Sequence, residues 1–149
     1  MPFLTFELEA AMTNQRFMET LKSAVYHSDW LVLSKGTLPF HGTVSENGFR
    51  IMRTYRGRNS FIPIIFGRFL DSIQGTRVRV IMTFHPIIWL FIIVWPFLIQ
   101  SETPFRFASP SFIGILFLLA PLIMGIPFFF YEAAKSKKLL FQTLGLNSD

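Results

Sequence analysis

The start of the chain shows two different spacings of hydrophobic residues, one after the other. Residues 3–10 place Leu4, Phe6 and Leu8 on one side and acids on the other, which predicts a half-buried strand. Residues 14–25 instead carry apolar side chains at helical spacing, and Thr13 precedes them as a good N-cap. The pattern therefore predicts one strand followed by one amphipathic helix.

Four further strands are predicted over residues 40–84 as an antiparallel meander. The first two are joined by Ser45-Glu46-Asn47-Gly48, and Asn-Gly between apolar runs is the strongest short-range signal of a hairpin. A third strand covers residues 61–70, and the fourth alternates cleanly from Thr76 to Phe84. Residues 1–84 are thus predicted to form a small, cytoplasmic antiparallel β-meander domain with one amphipathic helix.

The third predicted strand is apolar on both faces. In an antiparallel strand with one solvent-exposed face, apolar and polar residues should alternate. A second covering element is therefore expected, and the amphipathic helix, a membrane surface and a second subunit are the alternatives. The candidate interface comprises Phe61, Ile62, Ile64, Ile65 and Phe66.

Two uncharged apolar runs follow, at residues 86–100 and 112–131. Because a transmembrane helix needs about 20 apolar residues, the second run fits well and the first is short. We predict a two-helix transmembrane hairpin over residues 85–131, so that the fold class is membrane α+β. A re-entrant hairpin that does not cross the bilayer is the alternative. Residues 132–149 are predicted to form a cytoplasmic amphipathic helix and tail lying at the membrane interface, with packing of this helix on the β domain as the alternative.

Basic residues flank both predicted spans, while the connecting loop holds only Arg106. By the positive-inside rule, this asymmetry predicts a protein of the bacterial inner (cytoplasmic) membrane with both termini cytoplasmic. The expected partners are the lipid bilayer and either a second copy, in a homo-oligomer, or another membrane protein. The basic residues concerned are Arg68, Arg77, Arg79, Lys135, Lys137 and Lys138.

Chemistry-bearing motifs are scarce. The chain has no Cys, which excludes disulfides, Cys-ligated zinc and thiol nucleophiles. Its three histidines are not at metal-binding spacing, and neither a phosphate-binding glycine loop nor a nucleophile elbow is present. No catalytic, cofactor or metal site is predicted, and an enzyme is not expected. His85, directly before Pro86, is a candidate interfacial switch, with a simple capping role as the alternative.

Positive charge is unevenly placed within the net charge of +5. Seven arginines and one acid, Asp71, lie between Arg50 and Arg79. Such a set suits phosphate or a lipid headgroup, and nucleotide or nucleic-acid binding is a further possibility. Solubility beside a membrane is the alternative that needs no ligand. The candidate patch comprises Arg50, Arg53, Arg56, Arg58, Arg77 and Arg79.

Several short motifs resemble small bacterial membrane proteins in which a β meander runs directly into two hydrophobic helices. These are Arg58-Asn59-Ser60-Phe61-x-Pro63, Gly67, Gly75-Thr76-x-Val78-x-Val80-x-Met82 and His85-Pro86. The resemblance covers about residues 40–100 and implies topology alone. The arrangement is also similar in kind to two-span bacterial immune effectors, in which the helices usually precede the β domain.

These features together predict a membrane-anchored interaction or assembly module with a basic cytoplasmic β domain. The alternative is an oligomeric pore-forming or membrane-perturbing effector gated by a ligand on the Arg-rich sheet. A third hypothesis is a lipid-acting enzyme with His85 as its base.

Overall fold

A computed structural model describes residues 4–27, 37–55, 59–70, 72, 75–102 and 112–146, with the backbone alone for residues 96–102 and 112–118. Six strands and three helices are present in this described part. In chain order they are β1 (Leu4–Ala10), α1 (Asn14–Ala24), β2 (Val25–His27), β3 (Phe40–Ser45), β4 (Gly48–Arg53), β5 (Ile64–Leu70), β6 (Thr76–Thr83), α2 (Pro86–Glu102) and α3 (Phe112–Thr143).

The strands form one mixed sheet in the order β1-β6-β5-β4-β3-β2. The meander from β3 to β6 occupies its centre, and β1 pairs antiparallel with β6 along seven positions, among them Leu8 opposite Val78. At the other edge β2 runs parallel to β3. The predicted four-stranded antiparallel meander of residues 40–84 is confirmed, but the prediction that the whole domain is antiparallel is wrong. The sequence gives no signal for β2, because a strand of three residues is too short to show a period of two.

One face of the sheet, the core face, is covered by α1 and by the second half of α3. Phe17 and Leu21 of α1 are fully buried, and the Phe17 ring packs against Phe49 and Phe69. On α3 and directly after its end, residues spaced at three and four positions are buried against the sheet. They are Phe129, Ala133, Ser136, Leu140 and Leu144.

The predicted transmembrane hairpin is wrong. No helix within the described residues is both long and apolar enough to cross a membrane. Helix α2 has 17 residues, fewer than the roughly 20 that a span needs. Helix α3 continues past residue 131 without a break, so the apolar run and the predicted C-terminal helix are one element that carries Glu132 and three lysines.

Four predictions depend on those spans and are wrong with them. They are the integral two-pass membrane protein, the membrane-anchored interaction module, the pore-forming alternative and the bacterial inner-membrane location with both termini cytoplasmic. The finding that overturns them is the same: no described helix can cross a bilayer.

Candidate functional site

Large apolar side chains are exposed mainly on α2 and α3. Five lie on α2, and Ile87, Leu90, Phe91 and Val94 share one stripe because their spacing is three or four residues. Seven lie on α3 between Leu119 and Tyr131. We call these twelve residues the apolar helix surface: Ile87, Leu90, Phe91, Ile93, Val94, Leu119, Ile123, Met124, Ile126, Phe128, Phe130 and Tyr131.

This surface exists because α3 has two halves with different surroundings. From Phe129 onward the helix packs on the sheet, whereas most described side chains from Leu119 to Phe128 are exposed or half-buried. Gly125 is the buried exception, and it faces the ring of Phe61. Phe61 also stacks on Phe128 at 5.5 Å, so the β domain contacts one side of this half-helix and leaves the other side open.

The apolar helix surface is large for a single chain. Its side chains are 36% to 63% exposed, and twelve such residues present on the order of 1,000 Å² of apolar area. The largest apolar patch on a typical monomer is about 300–600 Å². The sequence places two charged residues, Glu102 and Arg106, between Pro86 and Tyr131. The surface can therefore bind another apolar surface and has little means of recognising a charged ligand.

A second candidate lies on the sheet face opposite the core, which we call the outer face. Alternation along the strands places Arg50, Arg68, Arg77 and Arg79 on this face. On β1, at the sheet edge, Glu7 pairs with Arg77 at 2.9 Å and with Arg79 at 3.1 Å. Glu9 pairs with Arg77 at 3.2 Å. All of these paired side chains are at least one-third exposed, so each bridge stabilises the fold only slightly.

Away from that edge, two further arginines, Arg50 and Arg68, lie on the outer face. Arg68 lies directly opposite Arg79, and its partner on the other side is Gly48, which has no side chain. Among the described residues Arg68 forms no ion pair. Arg50, two residues along β4 from Gly48, lies over the ring of Phe66 at 5.6 Å. Phe66 and its neighbour Ile81 are both 38% exposed.

Two histidines border the outer face. His41 lies opposite Met52, and its Nδ1 is buried with no hydrogen-bond partner in the described part of the chain. Burial lowers the pKa of this ring. Burial, and then the charge of Arg50, lower the pKa of His85. The His85 Nδ1 accepts a hydrogen bond from the backbone N–H of Ile87 at the start of α2. This contact fits the capping alternative, and the role of His85 as a switch stays a prediction.

Arg53 lies on the core face and not with the other arginines. It forms a buried ion pair with Glu132 of α3, whose side chain is 8% exposed, and Asn59 donates a second hydrogen bond to that carboxylate at 3.1 Å. Nearby, Arg53 Nε and Ser136 Oγ are buried and have no hydrogen-bond partner among the described residues. The pair joins the end of β4 to the middle of α3, so its role is to fix the helix on the sheet.

The residues of the predicted arginine patch thus fall into separate places. Arg50, Arg77 and Arg79 share the outer face, whereas Arg53 is half-buried on the core face. Arg56 and Arg58 lie outside the described residues. Arg68, which the prediction omitted, lies among the first three. The alternation of β5 was the available signal, because it places Arg68 on the same face as Phe66.

The candidate interface is likewise divided. Ile65 is fully buried in the core with Phe17, so α1 contributes to covering that face of β5. Ile62 and Ile64 are also buried, whereas Phe66 is partly exposed on the outer face. Phe61 reaches the apolar helix surface by stacking on Phe128. The segment is therefore largely internal, and the exposed apolar surface lies on α2 and α3.

An open depression of about 870 Å³ lies where β1 leads into α1. Glu9, Met12, Thr13, Asn14 and Gly75 are among the described residues that line it, and of the lining residues that the structure describes Glu9 alone is charged. Within the described ranges no group of three His, Asp or Glu side chains could hold a metal ion.

Comparison with protein-family models, with curated protein sequences and with solved structures gives no match to this chain. The roles of its surfaces are therefore inferred from their own geometry.

Proposed function

We propose that this protein functions as a homo-oligomer, with the apolar helix surface as the contact between two copies. The observation that carries the proposal is the concentration of exposed apolar side chains on α2 and α3: of sixteen large ones in the described part, twelve lie there. Burying such a surface is the main favourable term in protein association.

The size of the surface matches what a stable dimer requires. A standard interface buries about 800 Å² on each partner, and the surface offers on the order of 1,000 Å². Side chains such as Phe91, Phe128 and Phe130 are of the aromatic type that is enriched at interfaces. The area is therefore sufficient without any contribution from the charged β domain.

A second copy is the occupant that the chemistry favours. Interfaces of homodimers are more apolar than those of transient complexes, and this surface has almost no charge with which to select a different protein. In a two-fold contact the same patch appears on both subunits, so an uncharged apolar patch is complementary to itself. The other exposed apolar residues, such as Tyr26 and Ile81, are scattered over the sheet and form no comparable surface.

Sedimentation velocity of the full chain over a range of concentrations tests the proposal. We expect the wild-type protein to sediment as two or more copies. Leu90→Glu and Ile123→Glu each place a charge on the apolar helix surface, at sites 61% and 53% exposed, so each should weaken association at least tenfold without unfolding the monomer.

Tyr26→Glu is the matched control, because Tyr26 is 50% exposed at the far edge of the sheet and should leave association unchanged. A wild-type protein that sediments as one chain at all concentrations would overturn the proposal. The proposal would also be overturned if the protein stays in solution only as a single chain with bound detergent, because the detergent would then cover the apolar helix surface.

A further inference from the structure

Strand β1 is the last strand on its side of the sheet, so one of its edges has no neighbouring strand among the described residues. All seven of its residues pair in register with β6, without a bulge. An edge of this kind presents backbone N–H and C=O groups that can pair with another chain. The strand at the opposite edge, β2, has three residues and offers a much shorter edge. A further strand can therefore be added most readily at β1.

The pairing of β1 with β6 shows which side chains complement this strand. On the outer face, Glu7 and Glu9 lie opposite Arg79 and Arg77, and ion pairs at 2.9–3.2 Å connect the two sets. On the core face the residues of β6 that lie opposite β1 are apolar, as Val78 is. Opposite charges placed across a ladder stabilise a sheet. A strand in which basic and apolar residues alternate is thus the pattern that complements β1.

The free edge of β1 favours the same pattern. The side chains of Glu7 and Glu9 are 35% and 72% exposed, so the outer-face residues of an added strand would lie beside them. On the core face, the ammonium group of Lys137 lies over the rings of Phe6 and Phe141, at 5.0 and 5.4 Å. This cation disfavours basic residues on the core face, whereas the two half-buried rings favour apolar ones. The surroundings therefore determine which face of an added strand is basic.

Pairing of β1 with the β1 strand of a second copy is disfavoured by the same charges. If Phe6 and Leu8 of both copies stay on the core face, the pair brings Glu7 and Glu9 of the two copies together on the outer face. Like charges across a ladder destabilise a sheet. The edge thus repels its own copy and attracts a basic strand, and a specific interface commonly combines these two effects.

We propose that the free edge of β1 binds an extended segment of a partner protein in which basic residues alternate with apolar ones. The segment adds to the sheet as a strand, and its backbone supplies the main-chain hydrogen bonds. Its basic residues lie beside Glu7 and Glu9, and its apolar residues lie beside Phe6 and Phe141. The site is independent of the proposed self-association, because it shares no residue with the apolar helix surface.

Titration calorimetry and hydrogen–deuterium exchange of the full chain test the proposal with a synthetic peptide. The peptide has the sequence of β6, Thr-Arg-Val-Arg-Val-Ile-Met-Thr, because β1 already pairs with this pattern at its other edge. Its control is the charge-reversed peptide Thr-Glu-Val-Glu-Val-Ile-Met-Thr. We expect the basic peptide to bind saturably and at least tenfold more tightly than the acidic one. It should slow amide exchange within residues 4–10, and its affinity should fall as salt is raised.

Glu9→Lys should reduce the affinity for the basic peptide at least tenfold, because it places a like charge at the edge. Glu19→Lys is the matched control, since it makes the same change of charge at an exposed position of α1 and should leave the affinity unchanged. Folding of each variant is checked by circular dichroism.

Three results would overturn the proposal. The first is failure of the basic peptide to bind saturably, or protection from exchange on α2 and α3 in place of residues 4–10. The second is an equal loss of affinity in Glu9→Lys and Glu19→Lys. The third is protection of residues 4–10 that rises with protein concentration in the absence of peptide, because a second copy would then occupy the edge.

Discussion

The buried pair of Arg53 and Glu132 is the residue-scale contact on which the position of α3 depends most. Both charges are largely removed from water, at 16% and 8% side-chain exposure, and each compensates the other. Removing one partner of such a pair leaves an uncompensated buried charge, which costs about 3–5 kcal/mol. The pair is therefore costly to break, whatever its net contribution to stability.

We expect Glu132→Gln to lower the free energy of unfolding in urea by about 3–5 kcal/mol. The double variant Arg53→Met, Glu132→Leu should regain most of that loss, because no charge then stays buried. A single variant that unfolds within 1 kcal/mol of the wild type, on the order of a surface pair, would show that the contact is solvated.

A second residue-scale prediction concerns pH. Burial lowers the pKa of His41, so the folded protein keeps a neutral ring where the unfolded chain takes up a proton. Stability that is present above the unfolded value of 6.5 is then lost as pH falls from there through the folded pKa. We expect His41→Gln to show a smaller loss of unfolding free energy between pH 7.5 and pH 5.5 than the wild type.

His27→Gln is the matched control for that measurement, because His27 is an exposed residue of the edge strand β2. The wild-type loss should persist in this variant. If His41→Gln and the wild type lose stability in parallel, the proton is taken up elsewhere.

At the scale of the elements, one pair of residues on β5 and β6 predicts a substitution that raises the free energy of unfolding. Arg68 and Arg79 face each other there, and like charges in that position destabilise a sheet by a few tenths to about 1 kcal/mol. Arg68→Thr should therefore raise the free energy of unfolding, and the gain should shrink at high salt. A loss of stability in Arg68→Thr would mean that the arginine packs on its neighbours instead of repelling them.

Much of the element pattern could be predicted from the sequence. The strand at Leu4–Ala10, the helix from Asn14 and the hairpin at Asn47-Gly48 lie where alternation, helical spacing and turn chemistry place them. The pattern could not predict which strands pair when they are distant in sequence. Neither the antiparallel contact of β1 with β6 nor the parallel β2 has a local signature, because both depend on segments that are distant in sequence.

Contacts at the candidate sites were predictable only in part, for a related reason. A run of arginines indicates charge but not which faces coincide, so Arg53 was grouped with residues from which the sheet separates it. Likewise, composition alone predicts that the apolar runs of α2 and α3 span a membrane. Composition does not show that α3 continues into a charged half that packs on the sheet.

At the scale of the whole molecule, the fold has two unlike parts. The sheet, α1 and the second half of α3 enclose a closed core, whereas α2 and the first half of α3 leave their apolar side chains open. Because a surface of this size is costly to leave in water, its covering determines the state in which the protein works. We propose that a second copy of the chain covers this surface.

The most direct test of self-association measures how well one position on the apolar helix surface is protected from solvent. The chain has no Cys, so Met124→Cys, at a site 63% exposed in one copy, introduces a single reactive thiol. Without detergent or lipid, its rate of labelling by a water-soluble maleimide should fall at least tenfold as protein concentration rises, while Tyr26→Cys labels at a constant rate. Equal labelling of both thiols at every concentration would contradict the account.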